Sequence, residues 1–288
     1  MSASRPWRAF GIVAAAYLFA LGVAIAAALA VPAAHPLLKI ALGTAVGTLV
    51  VFAFSRAFNN TSVYDAYWSV APLCAAVYLF AGPGAGGARG AVLLLLFGTW
   101  SWRLTLNWAR GWKGFEDEDW RYADIRKVTG GAYWWASAFG LHLFPTVVVF
   151  LGLLPAHPAF ASAVPFGALD VLAAVVTVGA IAIETVADEQ LRGFRAKPSA
   201  SVCNVGLWRY SRHPNYFGEI GFWFGVWLFG VAAGAPWWAA LGPLAMVALF
   251  VFASIPLMER RLLSRRAGYA DHVARTSMLV PWPRKSND

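Results

Sequence analysis

The sequence predicts an all-α, polytopic integral membrane protein with seven to eight transmembrane helices in a single domain over residues 1–288. Three observations carry that expectation. Of the 288 residues, 59% are hydrophobic and 13% charged, about half the roughly one-quarter charged content of a soluble domain. The apolar residues gather in stretches of membrane-crossing length. The basic residues fall at alternate ends of those stretches. Fifteen Trp, twenty Phe and nine Tyr suit the membrane–water boundary, where amphipathic rings collect. Disorder, a coiled coil and a disulfide scaffold are excluded. Cys74 and Cys203 lie in different segments and imply neither a bridge nor a metal-thiolate site.

Eight apolar stretches run over 10–31, 37–55, 65–82, 90–110, 131–154, 168–190, 215–234 and 237–258. Each is near the ~20 residues a helix needs to cross the hydrocarbon. The first is too long for a signal-peptide core and lacks a convincing cleavage site, so it is expected to be retained. The connections 32–36, 83–89, 155–167 and 235–236 hold a single basic residue, Arg89, and Lys39 sits just inside the second helix. Twenty of the 23 Lys and Arg fall instead in the N-terminus, at Arg56, and in 110–127, 192–212 and 259–288. This alternation predicts both termini in the cytoplasm, in a bacterial inner membrane. It also accounts for the net charge of +9 without nucleic acid as a partner. The bilayer itself is the first partner expected.

Polar residues inside apolar stretches are costly, about 2.5–3.5 kcal/mol for a central charge, and so mark function. The fourth stretch carries Arg103, Asn107 and Arg110 on one face; the sixth carries Glu184, Asp188, Arg192 and Arg195 on one face. The seventh opens with Asn215 and Glu219, and the third with Tyr64 and Asp65. By the predicted topology all four sets lie in the same, cytoplasmic leaflet, which describes a site opening to that side. Elsewhere the polar residues read as structural. The acidic run Glu116–Asp119 is expected to be a solvated loop, Asp170 an interfacial residue, and His142 and His157 structural. The sequon Asn59-Asn60-Thr61 lies on the cytoplasmic side and should carry no glycan.

The segment Gly206-Leu-Trp-Arg-Tyr-Ser-Arg-His-Pro-Asn-Tyr-Phe-Gly-Glu219 is the densest in information. Pro214 fits the first turn of a helix, where its missing N–H costs nothing. The free backbone donors there, with Arg209, Arg212 and His213, form a seat for an anionic group. Asn215 and Glu219 then share one face inside the membrane.

The run Ser211-Arg-His-Pro-Asn-Tyr-Phe-Gly-Glu219, following a helix that ends in acidic and basic residues, resembles the membrane steroid 5α-reductase family, whose C-terminal half is shared with the sterol C14 and C7 reductases. The resemblance covers 180–283, closing with Tyr269 and Thr276-Ser-Met-Leu-Val-Pro281. It implies that this region binds NADPH, that Asn215 and Glu219 hold the nicotinamide end, and that Asp188 and Arg195 hold the remainder. Tyr210, Arg212 and His213 belong to the same cofactor set, with Arg192 and Glu184; Glu184 stands where the family often has Asn. Within the N-terminal helices, 1–110, Tyr64-Asp-Ala-Tyr-Trp-Ser-Val-Ala-Pro72 is similar to the family's substrate segment. Asp65 would be the counterpart of the Glu that contacts a steroid 3-keto oxygen, with Tyr64 in place of a Gln.

The resulting expectation is NADPH-dependent reduction of the Δ4 double bond of a 3-oxosteroid, or of a similar lipid-soluble enone, by hydride transfer to the β-carbon. Such a bond accepts hydride only when its carbonyl is polarised. Asp65 and Tyr64 would polarise it; Asn215 and Glu219 would aim the cofactor. Phosphates would meet Arg192, Arg195, Arg209 and Arg212. No Gly-x-Gly-x-x-Gly follows a strand, so no Rossmann unit is expected, and no metal is required. The alternative is a membrane methyltransferase of the isoprenylcysteine carboxyl type, which uses S-adenosylmethionine and shares Arg-His-Pro-x-Tyr. A transporter fits less well, because the polar groups do not form a path across.

Overall fold

The computed structural model describes residues 6–82, 86–197 and 202–285. Among the described residues the regular elements are all helical, apart from a β-bridge between Ser211 and Ser277. The chain forms α1 (Pro6–Leu29), α2 (Pro36–Ala57), a 3-10 turn (Thr61–Tyr64), α3 (Tyr67–Phe80), α4 (Gly87–Gly111) and α5 (Trp120–Thr129). Helix α6 starts at Tyr133–Ala136, widens into a π-turn over Ser137–Leu143, and continues through Phe144–Leu153. Then follow α7 (Ala156–Ala161), α8 (Ala168–Arg195) and α9 (Pro214–Ala232). Helix α10 runs Leu241–Ala248, widens at Leu249–Ser254, and resumes over Ile255–Arg265; α11 is Tyr269–Arg275.

All eight apolar stretches are helical. Six helical stretches are long and apolar enough to cross a membrane: Trp7–Leu29, Pro36–Ala57, Thr61–Phe80, Trp120–Ala161, Ala168–Arg195 and Trp237–Arg265. The chain is thus an integral membrane protein. The remaining two, α4 and α9, are also of crossing length. They carry polar, Gly and Trp residues because they lie among the others: α9 buries Gly218, Glu219, Phe222, Trp223, Val226 and Phe229.

The two π-turns have a common cause. Pro145 and Pro256 each follow two residues after the widened segment. A proline has no N–H for the i−4 carbonyl and its ring clashes with it, and a π-turn absorbs the mismatch.

The core centres on α4 and α9. Trp100 stacks on Phe222 at 4.5 Å, and both meet Trp223 edge-on. Helix α9 lies against α8 through Gly218, Gly221 and Gly225; a Cβ at Gly218 would stand 2.6 Å from Glu184 Cβ and 2.8 Å from Ala180 O. Small residues at this spacing let membrane helices pack backbone to backbone.

Asp170 corrects one expectation. It is wholly buried rather than interfacial. Arg89 Nε and Nη2 donate to its two oxygens at 2.6 and 2.9 Å, and Gly167 N donates at 2.9 Å, capping α8. Arg89, the one basic residue in the otherwise neutral connections, is therefore neutralised by its partner. His142 is buried, its ring nitrogens hydrogen-bonded with Ser55 Oγ and Ser137 O at 3.1 and 2.9 Å.

Candidate functional site

A cavity of about 610 Å³ opens between the 3-10 turn and helices α4, α5, α6, α8, α9 and α10. Its wall includes Tyr64 and Asp65 from the turn, Asn107 from α4, Glu184 and Asp188 from α8, and Asn215 and Glu219 from α9. The four polar sets expected to converge do so in this one space.

One wall is built around Arg103. Its guanidinium meets Glu184 Oε2 at 2.6 Å and donates to Asp188 Oδ2 at 3.0 Å. Asn107 Nδ2 donates to the same Asp188 oxygen at 3.0 Å, and Asn215 Nδ2 to the other at 3.3 Å. Arg192 in turn donates to Asn107 Oδ1. The i, i+4 spacing that puts Glu184 and Asp188 on one face of α8 makes this possible. Pro214 starts α9 beside them and so sets Asn215 opposite Asp188. Asn215 Oδ1 is buried and has no hydrogen-bond partner among the described residues. A buried acceptor left open is costly, and a ligand's amide N–H is the group that would satisfy it. Deeper in, Glu219 is 3% exposed and receives Trp100 Nε1 at 2.9 Å and Trp223 Nε1 at 2.8 Å. Each carboxylate oxygen keeps a second lone pair for another donor.

On the opposite wall Tyr64 and Asp65 both line the cavity and have separate partners: the Tyr64 hydroxyl is bonded to Thr146 Oγ1 at 2.7 Å and its ring lies 4.7 Å from His142. Asp65 accepts from the hydroxyl of Tyr122, on α5. Beside them Arg121 Nε donates to Asp119 Oδ1 at 2.8 Å. Both Arg121 and Tyr122 line the cavity.

Tyr122 arrives there because the acidic run is not the solvated loop expected. Asp119 is the N-cap of α5, accepting from Arg121 N at 2.9 Å. Glu118 accepts from Thr61 N at 2.8 Å, and Ser62 Oγ accepts from Asp119 N at 3.0 Å. Asn60 Nδ2 donates to the carbonyls of Phe115 and Asp117 at 2.8 and 3.1 Å. The 3-10 turn and the acidic run thus hold each other's orphan backbone groups. An Asp immediately before Trp-Arg-Tyr was the available sequence sign of this helix start.

Five of the expected cofactor residues, Arg192, Arg195, Tyr210, Arg212 and His213, do not line the cavity. Arg212 Nε donates to Glu259 Oε1 at 2.7 Å, and its Nη1 donates to the carbonyls of Val273 and Thr276 at 2.9 and 2.7 Å. His213 Nε2 is 3.1 Å from the same Glu259 oxygen. Tyr210 is exposed, and its carbonyl accepts from Trp282 N at 3.0 Å. These groups strap the C-terminal segment under the start of α9, with Ser211 Oγ donating to Leu279 O at 2.7 Å. Arg195 is exposed at the end of α8. Among the described residues no group of three His, Cys, Asp or Glu is arranged to hold a metal ion.

A family profile described as protein of unknown function (DUF1295) matches residues 51–276. An uncharacterized protein, C594.04c, of Schizosaccharomyces pombe (strain 972 / ATCC 24843) is 27% identical over 229 residues, 67% of this chain and 64% of that protein. The chain therefore matches just under two thirds of that relative's length. No solved structure matches the chain significantly.

Proposed function

This chain belongs to the DUF1295 family, and on that premise we propose that it is an NADPH-dependent reductase of a lipid-soluble enone, the Δ4 bond of a 3-oxosteroid being the fitting case. The observation that carries the reading is one cavity with Asp65 and Tyr122 on one side and Asn215 and Glu219 on the other. The residues fit the nicotinamide end of the cofactor. Asn215 Oδ1, buried and unpartnered, would accept from its carboxamide, and Glu219, fixed by two indole N–H groups, would take a further N–H. Arg192 and Arg195, at the end of α8, serve the phosphates. Bound NADPH supplies the hydride that adds to the β-carbon.

The chain's own residues supply the rest. The Tyr122 hydroxyl, held at the cavity wall beside Asp65, is the donor for the charge that develops on the substrate carbonyl. A preorganised donor of this kind lowers the barrier because it needs no reorganisation in the transition state. Asp65, held beside Arg121 and Asp119, orients the hydroxyl, and the enolate left by hydride addition takes the proton that completes the reduction at its α-carbon from solvent. Trp68 and Phe250 line the apolar part of the cavity and keep water from the reacting atoms. The basic helix ends support a reading in which this site, and both termini, face the cytoplasm from a bacterial inner membrane.

The test is ligand retention. The protein, purified in detergent, should carry the near-ultraviolet absorbance of a reduced nicotinamide, lost on adding an enone acceptor. Retention of S-adenosylmethionine instead, with no NADPH binding, would make the methyltransferase the correct class.

A further inference from the structure

The cavity is polar at one end and apolar at the other, and the apolar end reaches the outside of the protein through one wall. Gly140 and Phe144 of α6 and Ala253 of α10 line the cavity and are also exposed. They belong to, or adjoin, the two π-turns. Gly140 and Phe144 lie about 10–17 Å along α6 from Tyr133, at 1.5 Å per residue, so this wall stands within the hydrocarbon.

The opening is framed. Above it α6 and α10 touch backbone to backbone: a Cβ on Gly242 would stand 2.5 Å from Leu151 O and 2.8 Å from Gly152 Cα. Below it Arg261 of α10 donates to Asp124 of α5 at 2.9 Å, and its guanidinium lies 4.0 Å over the Trp120 ring. Between these two fastenings both helices widen, each ahead of its proline. Helix α10 is fastened to α6 above and to α5 below, and the exposed cavity wall between those levels is a window. Its surroundings are apolar: Phe139, Phe144 and Phe252 are 60%, 49% and 80% exposed. Those side chains face lipid at no cost.

We propose that this window between α6 and α10 admits a bilayer-dissolved ligand, and that the lobe behind it, walled by Leu141, Phe144, Leu249, Phe250 and Leu257, binds the ligand's apolar body. The chemical class is a lipid with one carbonyl end and an otherwise unbranched or fused-ring hydrocarbon body. The carbonyl reaches Asp65 and Tyr122 while the body stays in the lobe. The π-turns are then part of the binding site: they part the helices at the depth where such a molecule already resides. The proposal rests on the enone-reductase reading only for what happens at the carbonyl end.

The test separates the two. The protein in nanodiscs is labelled with a 3-oxosteroid bearing a diazirine, and the modified residues are mapped by mass spectrometry. Labelling should concentrate in 140–145 and 249–257. Gly140→Trp and Ala253→Trp should fill the window; a Cβ at Gly140 meets nothing within 4 Å, so the new side chain starts into open space. Each should lower specific labelling by about ten-fold or more, with NADPH binding and melting temperature unchanged. For turnover, each should raise KM for the steroid at least ten-fold more than KM for a small water-soluble cyclic enone. Labelling at the parental level in both variants would overturn the window, as would labelling confined to the α1–α3 surface. Loss of NADPH binding in the parent overturns the reductase reading and leaves the labelling result to judge the window alone.

Discussion

At the scale of single residues, the proposed chemistry turns on Tyr122 and its hydrogen-bond partner Asp65. Tyr122→Phe removes the hydroxyl and leaves the ring that packs against the turn. If that hydroxyl stabilises the developing oxyanion, kcat for an enone should fall about 100-fold or more, with NADPH affinity unchanged. Asp65→Asn keeps an acceptor for Tyr122 and should retain part of the activity, whereas Asp65→Leu should lose most of it. Parental turnover by Tyr122→Phe would remove it from the mechanism. Asn215→Ala tests the other wall. It takes away the buried unpartnered Oδ1 and the bond to Asp188 together, so NADPH affinity should drop by about ten-fold or more, the loss of ~1.5–3 kcal/mol of charged or oriented contact. Titration of NADPH fluorescence against both variants measures each effect separately.

At the scale of elements, α9 holds its position because α8 lets it come close. Gly218→Ala adds one methyl where Glu184 Cβ and Ala180 O already stand. That contact should force α9 outward and lower stability by about 1–3 kcal/mol, displacing Asn215 from Asp188. Gly179→Ala, on α8 with nothing within 4 Å of the added methyl, should be neutral or slightly stabilising, since Ala favours helix over Gly by roughly 1 kcal/mol. Equal melting temperatures for the two variants would contradict the close-packing account. The C-terminal strap offers a second test. Burial, and then the neighbouring Arg284 and Arg212, lower the His272 pKa from 6.5 to about 4. A depressed histidine stabilises the fold in its neutral form, so that stability is present above pH 6.5 and is lost as pH falls toward about 4. The melting temperature of the parent should therefore fall more steeply across that window than that of His272→Phe. Parallel pH profiles would show that the strap does not sense this proton.

At the scale of the whole molecule, the polar groups divide into two layers with opposite purposes. The Arg89–Asp170 pair ties the start of α4 to the start of α8, and Arg89 also donates to the carbonyls of Val164 and Pro165 at 2.9 and 3.1 Å. It is saturated, and it lies at the far end of α4 and α8 from the cavity. Arg89→Met leaves a buried carboxylate without its partner and should cost about 3–5 kcal/mol, whereas replacing both residues with apolar ones should recover most of that. Thermal melts of the single and double variants in one detergent decide it; a single variant as stable as the parent would show the pair to be dispensable. The cavity layer is the reverse case, with Asn215 Oδ1 left open.

The sequence alone determined the helical membrane class, the eight helical stretches and the identity of the residues that converge. Length, hydropathy and i, i+4 spacing are local, and they act before any helix meets another. It also marked Asn215, Glu219, Asp188 and Asp65 as polar groups inside apolar stretches, because the cost of such groups is large wherever the helix sits. Only the tertiary structure decided their partners. Glu219 meets the Trp100 indole from α4, Arg212 and His213 turn to Glu259, and Tyr122 reaches Asp65 because an acidic run folds back on a 3-10 turn. Asp170 likewise reads as a helix-end residue until Arg89 is seen beside it. Partnership depends on which helix faces are apposed and on how far prolines part them. Those are properties of packing between segments many residues apart, and no local pattern encodes them.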